Sequence, residues 1–255
     1  MIETIGHDSV VEIRLARPPV NALDSDLLAA ITREIGAAAA DGATAIFLSG
    51  RPGMFSAGLD VPYLLAQTRE QMLVFWREFF GAQQAIAASP VPIAAAITGH
   101  SPAGGAVLAM HADYRVMAQS TAAPGKYRIG LNEVHVGLFP GPIIYGALRR
   151  LVGPRHADRL LGGGLMLSGP EALEVGLVDR VVPEEQVIAA ALEWARHLSG
   201  LPPRALAQTR RMARADLVAL TAGLGPQDYE AMNAAWFSDE TQFTLRQLVE
   251  RLKKS

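Results

Sequence analysis

The sequence predicts an α/β fold made of strand–helix–strand units and followed by a helical carboxyl-terminal part. Three observations predict it. Apolar runs of strand length at 43–48, 91–98 and 114–118 alternate with longer segments whose apolar residues recur at helical spacing. The first strand–helix–strand unit is on the order of thirty residues, the size of a parallel crossover. Beyond Gly130 the apolar pattern becomes helical almost throughout. Periodicity by itself specifies α/β and nothing finer.

Taken in order, 9–15 reads as a strand, with 2–5 as a partner across Gly6. Arg17-Pro18-Pro19 ends it. Asp24 or Ser25 is placed to cap a helix over 26–40, whose apolar positions include Leu27, Leu28, Ile31 and Ile35. Gly42 stops that helix before the 43–48 strand. A short helix over 61–66 precedes a longer one over 70–88. There Leu73, Phe75, Trp76, Phe79, Phe80 and Ile86 form an apolar face that reads as core or as cover over a pocket. Pro90 and Pro92 bracket the start of the 91–98 strand, a small-residue helix opens at Gly104, and 114–118 closes the third unit. Helices are predicted over 142–151 and 154–161, separated by Gly153-Pro154. Ser168 caps the next helix, with Pro170 in its first turn. A final strand at 177–182 and helices over 183–198, 203–220 and 227–253 complete the chain. Pro202-Pro203 and 223–226 read as joints, and no sequence period marks a solenoid.

The 255 residues fit one large domain, or a core with a small appendage, and half of them are apolar, enough to bury a sizeable interior. A net charge of −2 gives no electrostatic case for nucleic acid or an anionic membrane. With no cysteine, disulfides, thiol catalysis and cysteine metal sites are excluded. No apolar run reaches membrane-spanning length, and the amino end lacks a basic region followed by an apolar one. With the abundance of Ala, Gly and Arg, this sets the expectation of a cytoplasmic, bacterial protein; a mitochondrial-matrix home would require a removed transit segment.

Two turns carry the chemistry. Gly99-His100-Ser101-Pro102-Ala103-Gly104-Gly105 and Met54-Phe55-Ser56-Ala57-Gly58-Leu59-Asp60 each follow an apolar strand and present small residues where a helix begins. A helix start leaves N–H groups unpaired at the positive end of the dipole. Two such turns can aim two N–H donors at one developing oxyanion. Glycines there serve equally for close packing, and glycine motifs taken singly are weak signals.

In order and spacing, F-S-A-G-L-D, then P-A-G-G, then G-L-N-E-V at 130–134 resembles the crotonase (enoyl-CoA hydratase/isomerase) superfamily, and within it the Δ3,Δ2-enoyl-CoA isomerases of the mitochondrial type. The resemblance runs from Arg17-Pro18-Pro19-Val20-Asn21-Ala22-Leu23 to the last helices. It implies a spiral of ββα turns over 1–195, with roughly perpendicular sheets flanked by helices. It also implies a helical region over 196–255 that builds trimer contacts and helps cover the acyl site, in a homotrimer or a dimer of trimers. The implied substrate is an acyl-CoA thioester, CoA being part of the substrate rather than a cofactor. No metal is required, because two N–H groups polarise the carbonyl.

The same resemblance assigns the oxyanion donors to the backbone N–H groups of Leu59 and Gly104, and substrate or CoA contacts to Ser56, Ala57, Gly58, Asp60, Arg17 and Ala22. Arg17 and Lys126 are the candidates for the CoA phosphates; Asp60 also suits a helix cap. The hydratases use two glutamates. One lies three residues after the oxyanion glycine, where this chain has Val107; the other lies in G-x-x-E, where it has Glu133. A single base suffices to move a proton from C2 to C4, whereas adding water needs a second group. The resemblance therefore implies a Δ3,Δ2-enoyl-CoA isomerase of fatty-acid β-oxidation with Glu133 as its catalytic base. Desolvation in an apolar pocket would raise the pKa of that carboxyl group.

Two alternatives stay open: a hydratase or other crotonase reaction with its second acid supplied from elsewhere in the fold, and a non-catalytic acyl-CoA-binding protein. Leu64, Leu65, Phe75 and Phe139 are candidates for the acyl surface, and Ser101, Tyr145 and Asn132 for its polar lining. His100 and His135 lack partners for a triad or a zinc site, and 162–164 lacks a P-loop lysine.

Overall fold

Ala45-Ile46-Phe47-Leu48-Ser49 and Ile93-Ala94-Ala95-Ala96-Ile97 are buried along their whole length, the signature of parallel strands covered on both faces. The computed structural model describes residues 1–123 and 125–253, so the last two residues of the 196–255 segment lie outside the described residues. In it, β1 (Ile2–His7) pairs antiparallel with β2 (Val10–Leu15). Then α1 (Ser25–Ala40), capped by Asp24 Oδ1 accepting from the Leu27 N–H at 2.8 Å, leads to β3 (Ala45–Ser49). Next come β4 (Gly53–Met54), α2 (Val61–Leu64) and α3 (Arg69–Ala88), the last opened by a Thr68/Gln71 capping box. β5 (Ile93–Ile97), β6 (Gly99–Pro102), α4 (Gly104–Met110) and β7 (Tyr114–Gln119) form the third unit.

The second half holds β8 (Ile129–Gly130), a 3₁₀ turn at Glu133–Val136, α5 (Gly141–Gly163), β9 (Met166–Leu167), α6 (Gly169–Glu174) and β10 (Arg180–Pro183). Helices α7 (Val187–Ser199), α8 (Pro203–Ala213), α9 (Ala215–Ala222), α10 (Pro226–Trp236) and α11 (Asp239–Leu252) follow. None of the described helices is long and apolar enough to cross a membrane.

One sheet has the order β1-β2-β3-β5-β7-β10, parallel except for the β1/β2 hairpin. A second has the order β4-β6-β8-β9. The chain leaves the first sheet after β3 and again after β5, and the two segments stay paired as β4 and β6 in the second. That step needs Gly99: a Cβ there would sit 1.9 Å from the carbonyl carbon of Gly53, its register partner. Just beyond it, the two motif-bearing turns begin.

The strands of the large sheet lie where the apolar runs place them, whereas those of the small sheet leave no such signal. Strands of two to four residues are too short for alternation to register. Of the run at 177–182, only 180–182 lies in a strand, with Pro183 added; Leu177 and Val178 are buried in the turn before it. The segments around Gly153 (φ 75°, ψ 166°) form one interrupted element, α5. The helix expected over 203–220 breaks at Arg214, and that over 227–253 breaks at 237–238, where Ser238 caps α11.

The Arg214 break has a physical cause. Its buried guanidinium turns inward to the carbonyls of Ala87, His111 and Ala112 and lies 3.1 Å from Asp113 Oδ1. Arg210 meets the same carboxylate at 2.8 and 2.9 Å, and Asp113 also accepts the N–H of Ile93 at 2.8 Å. One carboxylate thus ties α8 and the start of α9 to the start of β5. Asp113→Ala leaves two arginines buried without their counter-charge. It should lower unfolding stability by about 3–5 kcal/mol in denaturant titration; a change below about 1 kcal/mol would show that the tie is not structural.

Candidate active site

The 17–24 segment is laced to the 55–60 turn at every level. Asn21, fully buried, accepts the Arg17 N–H at 2.9 Å and donates its amide to the carbonyl of Phe55 at 3.0 Å. Ser56 Oγ donates to the Asn21 carbonyl at 2.7 Å and accepts the Gly58 N–H at 3.2 Å. The backbone adds Ala57 to Val20, Leu23 to Gly58 and Asp60 to Leu23. The Arg17 guanidinium then closes the lace on Asp24 at 2.9 Å, Asp60 at 2.7 Å and the Ala22 carbonyl at 3.0 Å.

This lacing settles where the Leu59 N–H points. Leu59 forms a parallel bridge with Leu23 in which its neighbours, Gly58 and Asp60, make the hydrogen bonds. Its own N–H faces the other way and has no acceptor among the described residues. Gly104 is the first residue of α4, so its N–H likewise has no intrahelical partner. The two turns touch: a Cβ on Gly58 (φ +83°) would lie 3.1 Å from the Pro102 carbonyl and 3.2 Å from the Gly104 nitrogen. Before it, Ala103 holds φ 44° and ψ −117°, a conformation that L residues rarely adopt.

Both residues line an apolar cavity of about 290 Å³. Its walls come from Ala57, Leu59 and Val61 after β4, Trp76 and Phe79 on α3, Pro102 to Gly104, Asn132, Glu133, Val136 and Leu138 to Pro140, Ile144 on α5, Met232 on α10, and Leu245 and Leu248 on α11. Asn132 and Glu133 supply the only polar side chains apart from the Trp76 indole, and Glu133 is the only carboxylate among the described residues lining it. Glu133 Oε2 is buried with no hydrogen-bond partner among the described residues. Burial pushes this carboxyl up to about 7, against the opposing pull of its own backbone N–H. The 3₁₀ turn that carries Glu133 is closed by Gly137 (φ +73°), whose carbonyl accepts a 2.7 Å bond from the buried Thr241 on α11.

The structure thus brings Leu59, Gly104, Ala57 and Glu133 to one cavity and leaves other expected residues elsewhere. Ser56 and Gly58 are buried behind the turn, and the Ser56 hydroxyl donates to the Asn21 carbonyl. Arg17 lies between the carboxylates of Asp24 and Asp60, outside the cavity. Asp60 bonds Arg17 and caps α2 through the Tyr63 N–H at 3.2 Å. Ala22 is half-buried outside the cavity. Lys126 is exposed, 5.3 Å over the Tyr127 ring.

Among the expected acyl contacts, Phe139 lines the cavity; Leu64, Leu65 and Phe75 pack outside it. Val107 is buried in α4 and does not reach the cavity. Of the polar candidates only Asn132 does: Ser101 is buried, and Tyr145 donates to Asp158 at 2.8 Å. A larger groove of about 790 Å³, bounded by Glu3, Arg14, Arg51 and Glu184, contains none of Ala57, Leu59, Gly104 or Glu133. Sequence reasoning missed Asn21, whose only signal is its place in R-P-P-V-N-A-L. It also missed Met232, Leu245 and Leu248, which had none.

Two unpaired N–H groups beside one desolvated carboxyl group are the parts needed to take a proton next to a carbonyl and hold the charge that forms. Residues 6–254 match the family model described as enoyl-CoA hydratase/isomerase, and the chain belongs to that family and has the crotonase fold. Along its whole length it is 30% identical to human mitochondrial enoyl-CoA delta isomerase 1, covering 83% of that protein. It is 35% identical over 201 residues to a probable enoyl-CoA hydratase, EchA17, of Mycobacterium tuberculosis, with 77% of this chain and 73% of that one covered. The crystal structure of human mitochondrial delta3-delta2-enoyl-CoA isomerase superposes with a TM-score of 0.92 at 29% identity, covering 99% of this chain and 98% of that one.

Removing Arg17 separates its structural role from phosphate binding. Arg17→Met should cost about 1–2 kcal/mol of stability, because two partly buried carboxylates lose their shared cation. It should lower turnover equally for a CoA thioester and for a pantetheine thioester that lacks the nucleotide phosphates. A rise in KM confined to the CoA thioester would instead make Arg17 a phosphate ligand.

Proposed function

We propose that the protein is a Δ3,Δ2-enoyl-CoA isomerase in which Glu133 is the single base. The observation that supports this reading is the lone carboxylate, Glu133, lining the cavity that also contains Leu59 and Gly104. The thioester oxygen lies against the Leu59 and Gly104 N–H groups. Glu133 takes a proton from C2, the electron pair of that C–H bond forms a C1=C2 bond, and the carbonyl π pair moves onto the thioester oxygen. In the dienolate the negative charge rests on the thioester oxygen. Losing one preorganised N–H donor of this kind typically costs about 3–4 kcal/mol of transition-state stabilisation. The Glu133 carboxyl then gives its proton to C4: the C3=C4 pair forms the new C–H bond, the C1=C2 pair becomes C2=C3, the thioester carbonyl reforms, and no water is consumed.

Hydration would need a second group to hold and polarise water. One turn into α4, the available side chain is the buried Val107. The similarity to a probable hydratase keeps the hydratase as the second reading, and Asn132 is the polar side chain through which water could be held. In either reading the substrate is an enoyl thioester of CoA. The two N–H groups polarise its carbonyl without a metal, and the apolar walls take its acyl chain.

The products distinguish these readings. Given a 3-enoyl-CoA, the protein should form 2-enoyl-CoA; given 2-enoyl-CoA, it should hydrate it at least about a hundredfold more slowly. Because Glu133 works deprotonated and its pKa is raised to about 7, kcat/KM should climb with pH up to that value and level off above it. Hydration exceeding isomerisation would favour the hydratase. Tight acyl-CoA binding with no turnover would favour a binding protein. A profile already flat from pH 5 would place the base elsewhere.

A further inference from the structure

The acyl cavity has a graded wall. Ala57, Leu59, Val61 and Pro140 are half-buried, and Phe139 is exposed, so the cavity opens on that side. Trp76, Phe79, Met232 and Leu245 are 1%, 3%, 7% and 0% exposed, so this side is closed. The closed side is backed by fixed aromatic packing. Trp76 meets Phe79 and Trp236 edge to face at 6.2 and 5.9 Å, and Phe79 meets Phe80 at 5.3 Å. Rings interlocked in this way do not slide aside as a surface loop would. Met232 is the softer member, a thioether from the separate helix α10.

We infer that Trp76, Phe79 and Met232 form an end wall that restricts this site to acyl groups of medium length. The inference rests on the isomerase reading above. At roughly 30 Å³ for each water-sized group, the 290 Å³ cavity holds on the order of ten such groups. The thioester carbonyl takes part of that space, and the remainder fits a chain of about eight carbons beyond it. A longer chain must move the aromatic wall or leave its end in water. In a closed apolar pocket one misplaced methylene changes kcat/KM by about tenfold or more.

The test is kcat/KM for 3-enoyl-CoA substrates of six, eight, ten, twelve and sixteen carbons. The wild-type protein should be most efficient near eight to ten carbons and at least about tenfold less efficient at sixteen. Phe79→Ala and Met232→Ala should each move the optimum to longer chains and raise the sixteen-to-six-carbon ratio about tenfold or more. Should Phe79→Ala fail to fold, the milder Met232→Ala reads the same shift, and the wild-type profile is decisive without either. Equal efficiency from six to sixteen carbons, or variants that keep the wild-type profile, would overturn the wall. Absence of turnover at every length would instead overturn the isomerase reading. Calorimetric affinities of saturated acyl-CoAs of the same lengths would then test the wall, with weaker binding at sixteen carbons supporting it and equal affinities refuting it.

Discussion

Two backbone N–H groups from turns far apart in sequence must stay unpaired, adjacent and fixed in the wall of an apolar cavity. Much of the surrounding structure serves that constraint. Left without acceptors, such groups favour any rearrangement that would satisfy them. The 55–60 turn is prevented from rearranging by Asn21, Ser56 and the Arg17 clasp, which use up the neighbouring donors and acceptors. The 102–104 turn is held in its strained form by the Ala103 N–H bond to the Gly130 carbonyl at 2.8 Å and by contact with Gly58. The paired strands β3/β5, continued as β4/β6, deliver both turns to the same place.

Opposite this donor pair, the fold accepts a cost. A carboxyl group whose ordinary pKa is 4.5 is held at about 7 by burial. The sign of the linkage follows: between those values the native chain keeps a proton that the unfolded chain has lost. Rising pH therefore erodes stability across that window, by about 3 kcal/mol at most. The same desolvation makes the group a stronger base once ionised. Its turn is tethered by Thr241, and the cavity is walled by α10 and α11, so the carboxyl-terminal helices shape the site as well as the exterior.

The large sheet was legible because its strands are long enough to bury a continuous apolar run and are separated by capped helices. Leu59 and Gly104 were legible because each sits in a motif whose backbone role is independent of side-chain chemistry, and Glu133 because it is the acid of the G-L-N-E motif. What escaped the sequence was whatever depends on contacts between distant segments. Strands of two residues have no period. The helix break at Arg214 follows from a buried carboxylate about a hundred residues earlier, at Asp113. Arg17 read as a free cation because its two partners, Asp24 and Asp60, meet it only in the folded chain. Met232 and Leu245 look like ordinary apolar helix positions until the helices pack over the cavity.

The proposed isomerisation turns on a proton carried by one side chain. Its most direct test is the rate at which solvent deuterium enters C2 and C4 of a 3-enoyl-CoA bound to Glu133→Gln, followed by NMR with substrate affinity measured in parallel. The substitution keeps the shape of the carboxyl group and removes its basicity. The account predicts affinity within a few-fold of the wild-type protein and exchange slowed by about a hundredfold to ten-thousandfold. Exchange at close to the wild-type rate in the glutamine protein would contradict it.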